Sequence, residues 1–414
     1  MLPFLPTGTK VKVDSEKNQD ARKSDKFFRR WTGRSFSPGP GDSATGSCGQ
    51  GPCPKQISDR ARKDPVFQFK NKVTVPFRQQ AVVFGYLIGR KLRRRKNYPL
   101  VLMLEPLFQC NLRCAGCGKI NYPEEVLKKR MSVAECLSAA QECGCPVVAI
   151  AGGEPLLHKE MPEIVQGLIG RGRFVYLCTN GLLLSKSIDD YSPSPYLAFS
   201  IHLDGCRERH DAMAGREGLF DEVIRAVESA CKRRFRVNVN CTLYKGITAG
   251  ESVALFERVA GLGVEGITVA PAFSYERAQN QDVFMDRTSS ALLFRDIFRN
   301  INGHRLIFNH TPLYLDFLAG NRHYQCTPWG TPTRNVLGWQ RPCYLLPDEG
   351  YAPSFKALME ETEWERYGVG RNAKCSHCMV HSGFEATAVE DAFRHPFETL
   401  KMLLRGHQQQ KIRR

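Results

Sequence analysis

Cys110-Asn-Leu-Arg-Cys114-Ala-Gly-Cys117 carries three thiols within one short stretch, with the spacing C-x3-C-x2-C. The stretch follows the apolar run Pro99-Leu-Val-Leu-Met-Leu104. A tetrahedral zinc site or a fully ligated four-iron cluster needs four ligands, so three cysteines leave one position open. Buried structural thiols are the alternative, but packing does not require this spacing in a polar loop that contains glycine. The stretch predicts a 4Fe–4S cluster with one iron free to bind a substrate or cofactor.

The length of the chain and its number of cysteines limit the classes of protein to which it can belong. A chain of 414 residues is long enough for two or three domains with a sizeable core. Sixteen cysteines would indicate disulfides in a short secreted chain, but this chain is long and we expect no signal peptide at its start. We therefore expect a reducing, cytoplasmic compartment in which clustered cysteines bind metal.

The net charge of +17 is concentrated at the front of the chain. Residues 1–72 carry +8, residues 73–98 carry +7, and the rest of the chain carries only +2. A nucleic-acid footprint needs a basic face across the folded body, so we expect no nucleic-acid partner. Residues 1–72 are rich in Gly, Ser, Pro and basic residues and lack a periodic apolar pattern, which predicts a disordered basic extension. Residues 401–414 are predicted to form a basic tail.

Residues 73–98 predict a basic amphipathic helix. Its apolar run, 81–89, is far shorter than the roughly 20 residues that span a bilayer, and six of the next seven residues are basic. Two interpretations stay open. The helix lies in a membrane interface, which would place the protein peripherally at the inner face of the cell membrane. Alternatively, it caps the catalytic domain and leaves its basic end in solvent.

From Tyr98 onward, short apolar runs alternate with helical patterns. Strand, helix and short loop in alternation predict parallel strands joined by crossovers, hence an α/β fold with a partial (β/α)6 barrel over residues 99–300. A smaller cysteine-containing C-terminal extension, 301–400, would cover the substrate. The predicted strands are 100–104, 146–151, 174–178, 197–202, 237–242 and 266–270. The predicted helices are 161–169, 220–232, 251–260 and one that begins at a capping box of Ser132 and Glu135.

Polar residues follow several of these strands, where α/β barrels place their chemistry. Gly152-Gly153-Glu154-Pro155 follows the second strand; its glycines let the backbone approach a ligand, and its carboxylate can accept from a cationic group. Thr179-Asn180-Gly181 follows the third. Alternation along the fourth strand places Ser200, His202 and Asp204 on one side, which predicts that they face the site.

Together, the three cysteines, Gly152-Gly153-Glu154-Pro155, Thr179-Asn180-Gly181 and Asp204-Gly205 resemble the radical S-adenosylmethionine (SAM) superfamily. The resemblance implies a partial barrel of the radical SAM type, whose 4Fe–4S cluster binds SAM through the free iron. It also implies SAM contacts from the segment 152–155, Asn180 and Ser200. One position departs from the family pattern: Gly116 stands where an aromatic residue often precedes the third cysteine.

A closer resemblance is to the radical SAM family of hopanoid biosynthesis, the adenosylhopane synthases. It implies that the 5′-deoxyadenosyl radical adds to the terminal alkene of diploptene, a polycyclic hydrocarbon lipid, and that SAM is consumed. It also implies an electron donor such as flavodoxin or ferredoxin. The runs that carry it are 98–108, 117–120, 150–158, 314–321, 338–346 and 378–387.

Diploptene has no polar group, so its binding would depend on apolar burial. The expected lining residues, each of which would also suit an ordinary core, are Leu306, Ile307, Phe308, Leu313, Tyr314, Leu315, Phe317, Trp329, Trp339, Tyr344 and Leu345. Addition leaves a carbon radical that must gain a hydrogen atom. Cys178, at the end of the third strand, is the hypothesised hydrogen donor, with a small buried core thiol as the alternative.

Four later cysteines form a second candidate site: Cys326, Cys343, Cys375 and Cys378. Their spacing resembles that of auxiliary-cluster domains beside some radical SAM barrels. Four thiolates suit either a second Fe–S cluster or a zinc ion, and free thiols are the third possibility. Three histidines lie near them in the sequence as substitute ligands: His323, His377 and His381.

Two other functions stay open at this stage. The first is a radical SAM enzyme that abstracts hydrogen from a peptide or small molecule with the help of an auxiliary cluster, and that releases free 5′-deoxyadenosine. The second is a basic zinc protein that binds nucleic acid, against which the near-neutral body argues.

Overall fold

The computed structural model of the chain describes residues 75–94, 96–301 and 308–397. The predicted disordered extension 1–72 and the predicted tail 401–414 lie outside these residues. Leu306 and Ile307, two of the expected substrate contacts, also lie outside them.

Six parallel strands pair with one another in chain order and form the frame of the structure. Each predicted strand is present to within about two residues at either end. The pairing is in register from β1 to β6, for example Val101 with Val147 and Cys178 with Ser200. The strands are β1 (Val101–Glu105), β2 (Val147–Ile150), β3 (Phe174–Thr179), β4 (Leu197–His202), β5 (Arg236–Leu243) and β6 (Gly266–Pro271).

Helices connect these strands, and two of them begin at capping boxes. The side chains of Ser132 and Thr248 each accept a hydrogen bond from the backbone N–H three residues on. The glutamate at that position in turn accepts a hydrogen bond from the backbone N–H of the cap residue. The helices of this part are α1 (Phe77–Leu92), α2 (Glu124–Leu127), α3 (Val133–Cys143), α4 (Met161–Gly170), α5 (Leu184–Ser187), α6 (Arg207–Ala214), α7 (Leu219–Lys232), α8 (Ala249–Gly261) and α9 (Arg287–Asn300).

The two faces of the parallel sheet differ in polarity. Alternate residues such as Leu102, Leu177 and Phe199 are fully buried in the hydrophobic core. The residues between them include Ser200 and Asn238, which hydrogen-bond to each other. Side chains alternate along a strand, so an apolar core on one face leaves the other face for polar groups.

The C-terminal region extends this same sheet, which the sequence analysis did not predict. β7 (Thr333–Asn335) pairs parallel with β1, and β8 (Gly338–Gln340) and β9 (Tyr351–Ala352) follow antiparallel, giving a nine-stranded sheet. These strands have two or three residues each, too few to show a periodic pattern. The helices of this region are α10 (Pro312–Leu318), α11 (Phe355–Glu361) and α12 (His381–Arg394).

Most of the expected diploptene contacts belong to the core instead. Phe308, Leu313, Tyr314, Leu315, Phe317, Trp339 and Leu345 are all buried and pack in the main hydrophobic cluster. The interpretation of these residues as ordinary core is therefore the better one. Trp329 and Tyr344 are partly exposed at the edge of that cluster.

Helix α1 lies at the amino ends of the strands. The Gln79 side chain is buried and donates to the Tyr176 hydroxyl at 3.1 Å, and Arg236 donates to Gln79 at 3.2 Å. The Tyr86 hydroxyl donates to the Pro99 carbonyl at 2.7 Å. One side of the predicted helix therefore caps the sheet. Across the described ranges, none of the helices is long and apolar enough to cross a membrane.

Candidate functional site

The three cysteines of the loop after β1 lie at the carboxyl end of the sheet. Cys110, Cys114 and Cys117 are free, partly exposed thiols. The Leu112 N–H donates to the Cys110 sulfur at 3.4 Å, and the Cys117 N–H donates to the Cys114 carbonyl at 3.1 Å. These two bonds fold the loop into a compact turn.

Burial disfavours the thiolate form of all three cysteines. Burial raises the pKa of Cys110 to about 11, and burial likewise raises the pKa values of Cys114 and Cys117. Each thiolate would raise the pKa of another, which shows that the sulfurs are close neighbours. Iron binds the thiolate, so binding would release these protons.

The number of thiols matches a cluster with one open iron. Among residues 75–94, 96–301 and 308–397, no group of three or more His, Cys, Asp or Glu side chains is arranged to hold a single metal ion. In a four-iron cluster each thiolate binds a different iron, so its ligands are spread further apart. Three thiolates fit such a cluster and leave one iron open.

The segment Gly152-Gly153-Glu154 runs beside the backbone that leads into the cysteine loop. The Gly153 N–H donates to the Leu107 carbonyl at 3.0 Å, and the Glu154 N–H donates to the Gln109 carbonyl at 2.8 Å. A Cβ on Gly153 would lie 2.0 Å from the Gln109 carbonyl oxygen, closer than any real contact. The glycines therefore permit an approach to the chain's own backbone, whereas the sequence analysis assigned that approach to a ligand. Pro155 is buried and begins a 3-10 turn.

Glu154 is engaged within the protein. Its side chain is buried and accepts hydrogen bonds from the Thr179 hydroxyl (2.9 Å), the Asn180 N–H (2.8 Å) and the Leu156 N–H (3.0 Å). Burial raises its pKa, and these hydrogen bonds oppose that effect. A carboxylate has about four acceptor positions, so little capacity remains for the predicted contact with the SAM amino group.

Asn180 connects β3 to the cysteine loop. Its amide donates to Asn111 Oδ1 at 2.7 Å and lies 3.8 Å from the Cys110 sulfur. Its own Oδ1 accepts from the Leu182 N–H at 3.1 Å. The residue is thus next to the cluster position, where the resemblance to the family expects a SAM contact.

His202 and Asp204 form a pair at the end of β4. His202 Nε2 lies 2.5 Å from Asp204 Oδ2, and the Thr242 N–H donates to Asp204 Oδ1 at 2.8 Å. Burial lowers the pKa of His202, but the charge and hydrogen bond of Asp204 outweigh it and raise the pKa overall. Asp204 therefore orients a histidine whose side chain is 31% exposed. The position of this pair agrees with the predicted alternation along β4.

Cys178 lies opposite Ser200 in the sheet register, at the carboxyl end of β3. Its thiol is 3.8 Å from the Tyr176 carbonyl. Burial raises its pKa to about 12, with the Ser200 hydroxyl opposing this shift. The residue as a whole is partly exposed at this end of the strand.

Tyr244 is a site residue that the sequence analysis missed. It follows β5, and its ring lies directly against Gly116: a Cβ on this glycine would be 2.5 Å from Tyr244 Cε1. Any side chain at position 116 would displace the ring. Tyr244 thus places an aromatic surface beside the cysteine loop, next to the position where the family often has one.

A buried ion pair was also missed. Lys119 Nζ lies 2.7 Å from Glu105 Oε2, and the two side chains are 7% and 2% exposed. The ammonium also lies 4.9 Å from the centre of the Phe108 ring and 5.4 Å from that of Tyr275. A buried pair costs desolvation and persists where both partners are held firmly, as here. The sequence feature that could have indicated this ion pair is Glu105, a carboxylate at the end of an apolar strand.

Cys326, Cys343, Cys375 and Cys378 line one pocket together. The three histidines suggested as substitute ligands are not among its lining residues. His381 instead lies beside His310, with ring centres 6.0 Å apart.

Comparison with known proteins agrees with this geometry. Residues 104–259 match the family model of the radical SAM superfamily, and residues 267–402 match a domain of unknown function, DUF3463. Structures of Streptococcus suis SuiB resemble the fold. With the precursor peptide SuiA bound, the TM-score is 0.55 at 13% identity over 90% of this chain and 84% of that one. With SAM bound, the TM-score is 0.50 at 16% identity over 62% of each chain.

The curated relatives have several activities. GTP 3′,8-cyclase of Campylobacter fetus is 23% identical over 58% of this chain and 78% of its own. The probable GTP 3′,8-cyclase of Archaeoglobus fulgidus is 30% identical over 36% of this chain and 51% of its own. Fe-coproporphyrin III synthase of Methanosarcina barkeri is 26% identical over 33% of this chain and 35% of its own. This chain thus spans about a third of the length of the Methanosarcina barkeri protein and about half of the length of the Archaeoglobus fulgidus protein.

A parallel sheet with a three-thiol loop after its first strand can hold an iron–sulfur cluster at the carboxyl ends of its strands. Residues 104–259 are a radical SAM domain, and the cofactors of this domain are a 4Fe–4S cluster and SAM. The names of these relatives do not concern hopanoids, so the narrower resemblance to adenosylhopane synthases remains a proposal.

The contact between Gly116 and Tyr244 gives a first prediction. Gly116→Phe should displace the Tyr244 ring and the loop, at a cost of about 1–3 kcal/mol for overpacking, and should lower the iron bound after reconstitution. Adding Tyr244→Gly to the same chain should restore much of that iron, because it reopens the space. Iron analysis and thermal melting of the metal-free chains measure both effects.

Gly261→Phe is the matched control, because nothing lies within 4 Å of a Cβ at that helical glycine. It should bind iron like the unaltered chain. Normal iron binding by Gly116→Phe alone would show that the Tyr244 ring does not limit the loop.

Proposed function

We propose that this radical SAM enzyme adds the 5′-deoxyadenosyl group of SAM to the terminal alkene of diploptene and forms adenosylhopane. The proposal is supported by the sequence runs that resemble the hopanoid family, several of which lie in the site. The run 98–108 contains β1, and the run 150–158 begins at the last residue of β2 and contains the Gly-Gly-Glu segment. The SAM and cluster chemistry supplies a carbon-centred radical by one-electron cleavage of the S–C5′ bond.

The observation that carries the proposal is the neutral thiol of Cys178. Addition to an alkene forms a C–C bond and leaves an unpaired electron on the neighbouring carbon, so a hydrogen donor is required. A hydrogen-abstracting enzyme needs no such donor. Cys178 is partly exposed at the carboxyl end of β3, and its pKa of about 12 keeps the sulfur protonated at neutral pH.

The step balances in atoms and electrons. The substrate radical takes the hydrogen atom of the Cys178 thiol, which becomes a thiyl radical. One electron and one proton then regenerate the thiol. The external one-electron donor, of the flavodoxin or ferredoxin class, supplies this electron as well as the electron that cleaves SAM.

Mass spectrometry tests the reaction directly. With the anaerobically reconstituted enzyme, SAM, a reductant and detergent-dispersed diploptene, we expect a product that contains both adenosine and the C30 skeleton. Its amount should match the SAM consumed. GTP in place of diploptene is the control, chosen because two relatives bear the name GTP 3′,8-cyclase, and it should give no adduct.

Free 5′-deoxyadenosine without an adduct would contradict the proposal. It would keep the radical SAM assignment and favour the alternative, in which the enzyme abstracts hydrogen from a peptide or small molecule.

The role of Cys178 predicts the source of one hydrogen in the product. A thiol exchanges its hydrogen with solvent, so turnover in D2O should place one deuterium on the saturated carbon. Burial raises the pKa of this thiol from its ordinary value of 9.0 to about 12, so deuterium incorporation should not fall between about pH 6 and pH 9. Cys178→Ala should lower formation of the saturated adduct by about tenfold or more, about 1.4 kcal/mol in that step.

Cys231→Ala is the matched control, since Cys231 is a partly buried cysteine on α7, outside the site. It should leave both yield and deuterium content unchanged. An unchanged product from Cys178→Ala would rule out this residue as the donor.

We further propose that the outer side of α1 contacts an anionic membrane surface, in which diploptene is dissolved. Phe77, Phe84 and Leu92 on this helix are 84%, 53% and 79% exposed. Phe84 stacks on Phe393 at 5.2 Å, and Lys91, at the basic end of α1, lies over the same ring.

Vesicle flotation tests this surface. The chain should bind vesicles that contain phosphatidylglycerol more strongly than phosphatidylcholine vesicles, because basic residues follow the apolar ones. Phe84→Ser with Leu92→Ser should weaken binding by about tenfold or more, given roughly 1.5–3 kcal/mol per buried apolar side chain. Leu292→Ser, at a 55% exposed leucine on α9, is the control. Equal binding by all three chains would refute the proposed contact.

A further inference from the structure

Lys119 and Glu105 form an ion pair inside the protein, next to the cysteine loop. Lys119 Nζ lies 2.7 Å from Glu105 Oε2, and the two side chains are 7% and 2% exposed. Water screens such buried charges little, so each acts over several ångströms. Lys119 begins a 3-10 turn and follows Cys117 after a single residue. The ammonium is therefore attached to the same loop that carries the three thiols.

The carboxylate of the pair belongs to the sheet. Glu105 is the last residue of β1, and a Cβ on Gly152 would lie 3.3 Å from the Glu105 Cβ. The next residue, Gly153, donates to the backbone that leads into the cysteine loop. The ion pair thus lies where the end of β1, the glycines after β2 and the loop meet.

Two aromatic rings hold the ammonium in place. Its nitrogen lies 4.9 Å from the centre of the Phe108 ring and 5.4 Å from that of Tyr275, distances at which a ring attracts a cation. Both rings are buried. Tyr275 also packs against the cysteine loop, since a Cβ on Gly118 would overlap its ring. The position of the positive charge is therefore fixed by the protein alone.

Stability is a poor explanation for this pair. Burial of two charges costs desolvation, and apolar residues of the same volume often stabilise a protein as well or better. The surroundings would suit such residues, because the sequence neighbours Leu104, Leu107 and Phe108 are fully buried. Two charges at this place therefore require a role that apolar side chains would not perform.

A fixed charge beside an iron–sulfur cluster acts on the reduction of that cluster. The reduced form carries one more negative charge than the oxidised form, so a nearby cation favours reduction and a nearby anion opposes it. Net charge is among the factors that set the reduction potential of iron–sulfur proteins, and its effect is largest away from water. The other charged residues between positions 106 and 130 are all exposed, which leaves Lys119 as the buried cation of this segment.

We propose that the Lys119–Glu105 pair sets the reduction potential of the 4Fe–4S cluster at the three-cysteine loop. Lys119 is a positioning residue: it binds neither iron nor SAM and holds a positive charge beside the cluster. Glu105 fixes the ammonium and offsets part of its charge. Because the loop carries the ammonium and β1 carries the carboxylate, the positive end of the pair lies nearer the cluster and eases its reduction by an external donor. The inference rests on the radical SAM domain and is independent of diploptene.

Two single variants change the local charge in opposite senses. Lys119→Met keeps most of the length of the side chain and removes the positive charge, so the potential should fall. Glu105→Gln keeps the shape and removes the negative charge, so the potential should rise. Each should change the ratio of reduced to oxidised cluster at a given applied potential by about tenfold or more, which is about 59 mV for a one-electron couple. A purely structural role of the pair would not give shifts of opposite sign.

A redox titration of the anaerobically reconstituted full-length chain, followed by electron paramagnetic resonance, measures this potential. The signal to follow is the one that SAM alters in a parallel sample, because SAM binds where an iron is open. Lys129→Met is the matched control: it is the same substitution at an exposed lysine near the loop, and it should leave the potential unchanged. Iron content should be the same in all of these chains, since the three cysteines are unaltered.

Each single variant leaves one buried charge unpaired, which destabilises the fold. Circular dichroism of the metal-free chains shows whether they fold. Where one does not, Lys119→Met/Glu105→Gln decides the question: it leaves no charge unpaired and should lower the potential, because the nearer charge is lost. Shifts of the same sign in the two single variants, an unchanged potential, or loss of iron binding in the folded variants would overturn the proposal and leave the pair as an anchor of the loop. No measurement here uses diploptene, so failure of this proposal is distinct from failure of the proposed reaction.

Discussion

The site depends on the close contact between the Gly-Gly-Glu segment after β2 and the backbone that leads into the cysteine loop. Two backbone hydrogen bonds join the segment to Leu107 and Gln109. The buried carboxylate of Glu154 then ties β2 to the Thr179 hydroxyl and the Asn180 N–H at the end of β3. Three strand ends are thus held together before any cofactor binds. A Cβ at position 153 cannot fit beside this backbone. Packing therefore requires glycine at this position as much as ligand binding does.

This framework explains how one sheet supports both stability and radical chemistry. Its apolar face joins the core, while its other face carries Ser200, His202 and Asn238. Polar groups on that face form hydrogen bonds with one another. Asp204, for example, accepts a hydrogen bond from the Thr242 N–H and pairs with His202. Buried polar groups without partners would cost about 1–3 kcal/mol each, so such pairing also fixes side-chain positions. Cys178 lies beside these fixed groups, opposite Ser200 in the sheet register.

The sequence predicted the parts of the molecule that follow from periodicity and missed those that follow from tertiary contact. The strands β1 to β6, the capping box of Ser132 and Glu135 and the position of the three-cysteine loop all have local patterns. The strands β7 to β9 are too short for a pattern, and hydrogen bonds to β1 determine them. The sequence could not show which apolar residues after position 306 belong to the core and which line a pocket, because hydrophobicity is expected in both places. Tyr244 and Lys119 were missed since each acts on a residue that only folding brings near.

The two cysteine sites are best understood through the number of their ligands. Three thiolates at the first site leave an iron for SAM, and the polar strand ends around it provide partners for a charged cofactor. Four cysteines at the second position line one pocket whose other walls are mostly apolar. In the proposed reaction, addition to an alkene consumes two single electrons, one to cleave SAM and one to restore the thiol. Both come from the external donor, so this chemistry requires only the one open iron at the first site.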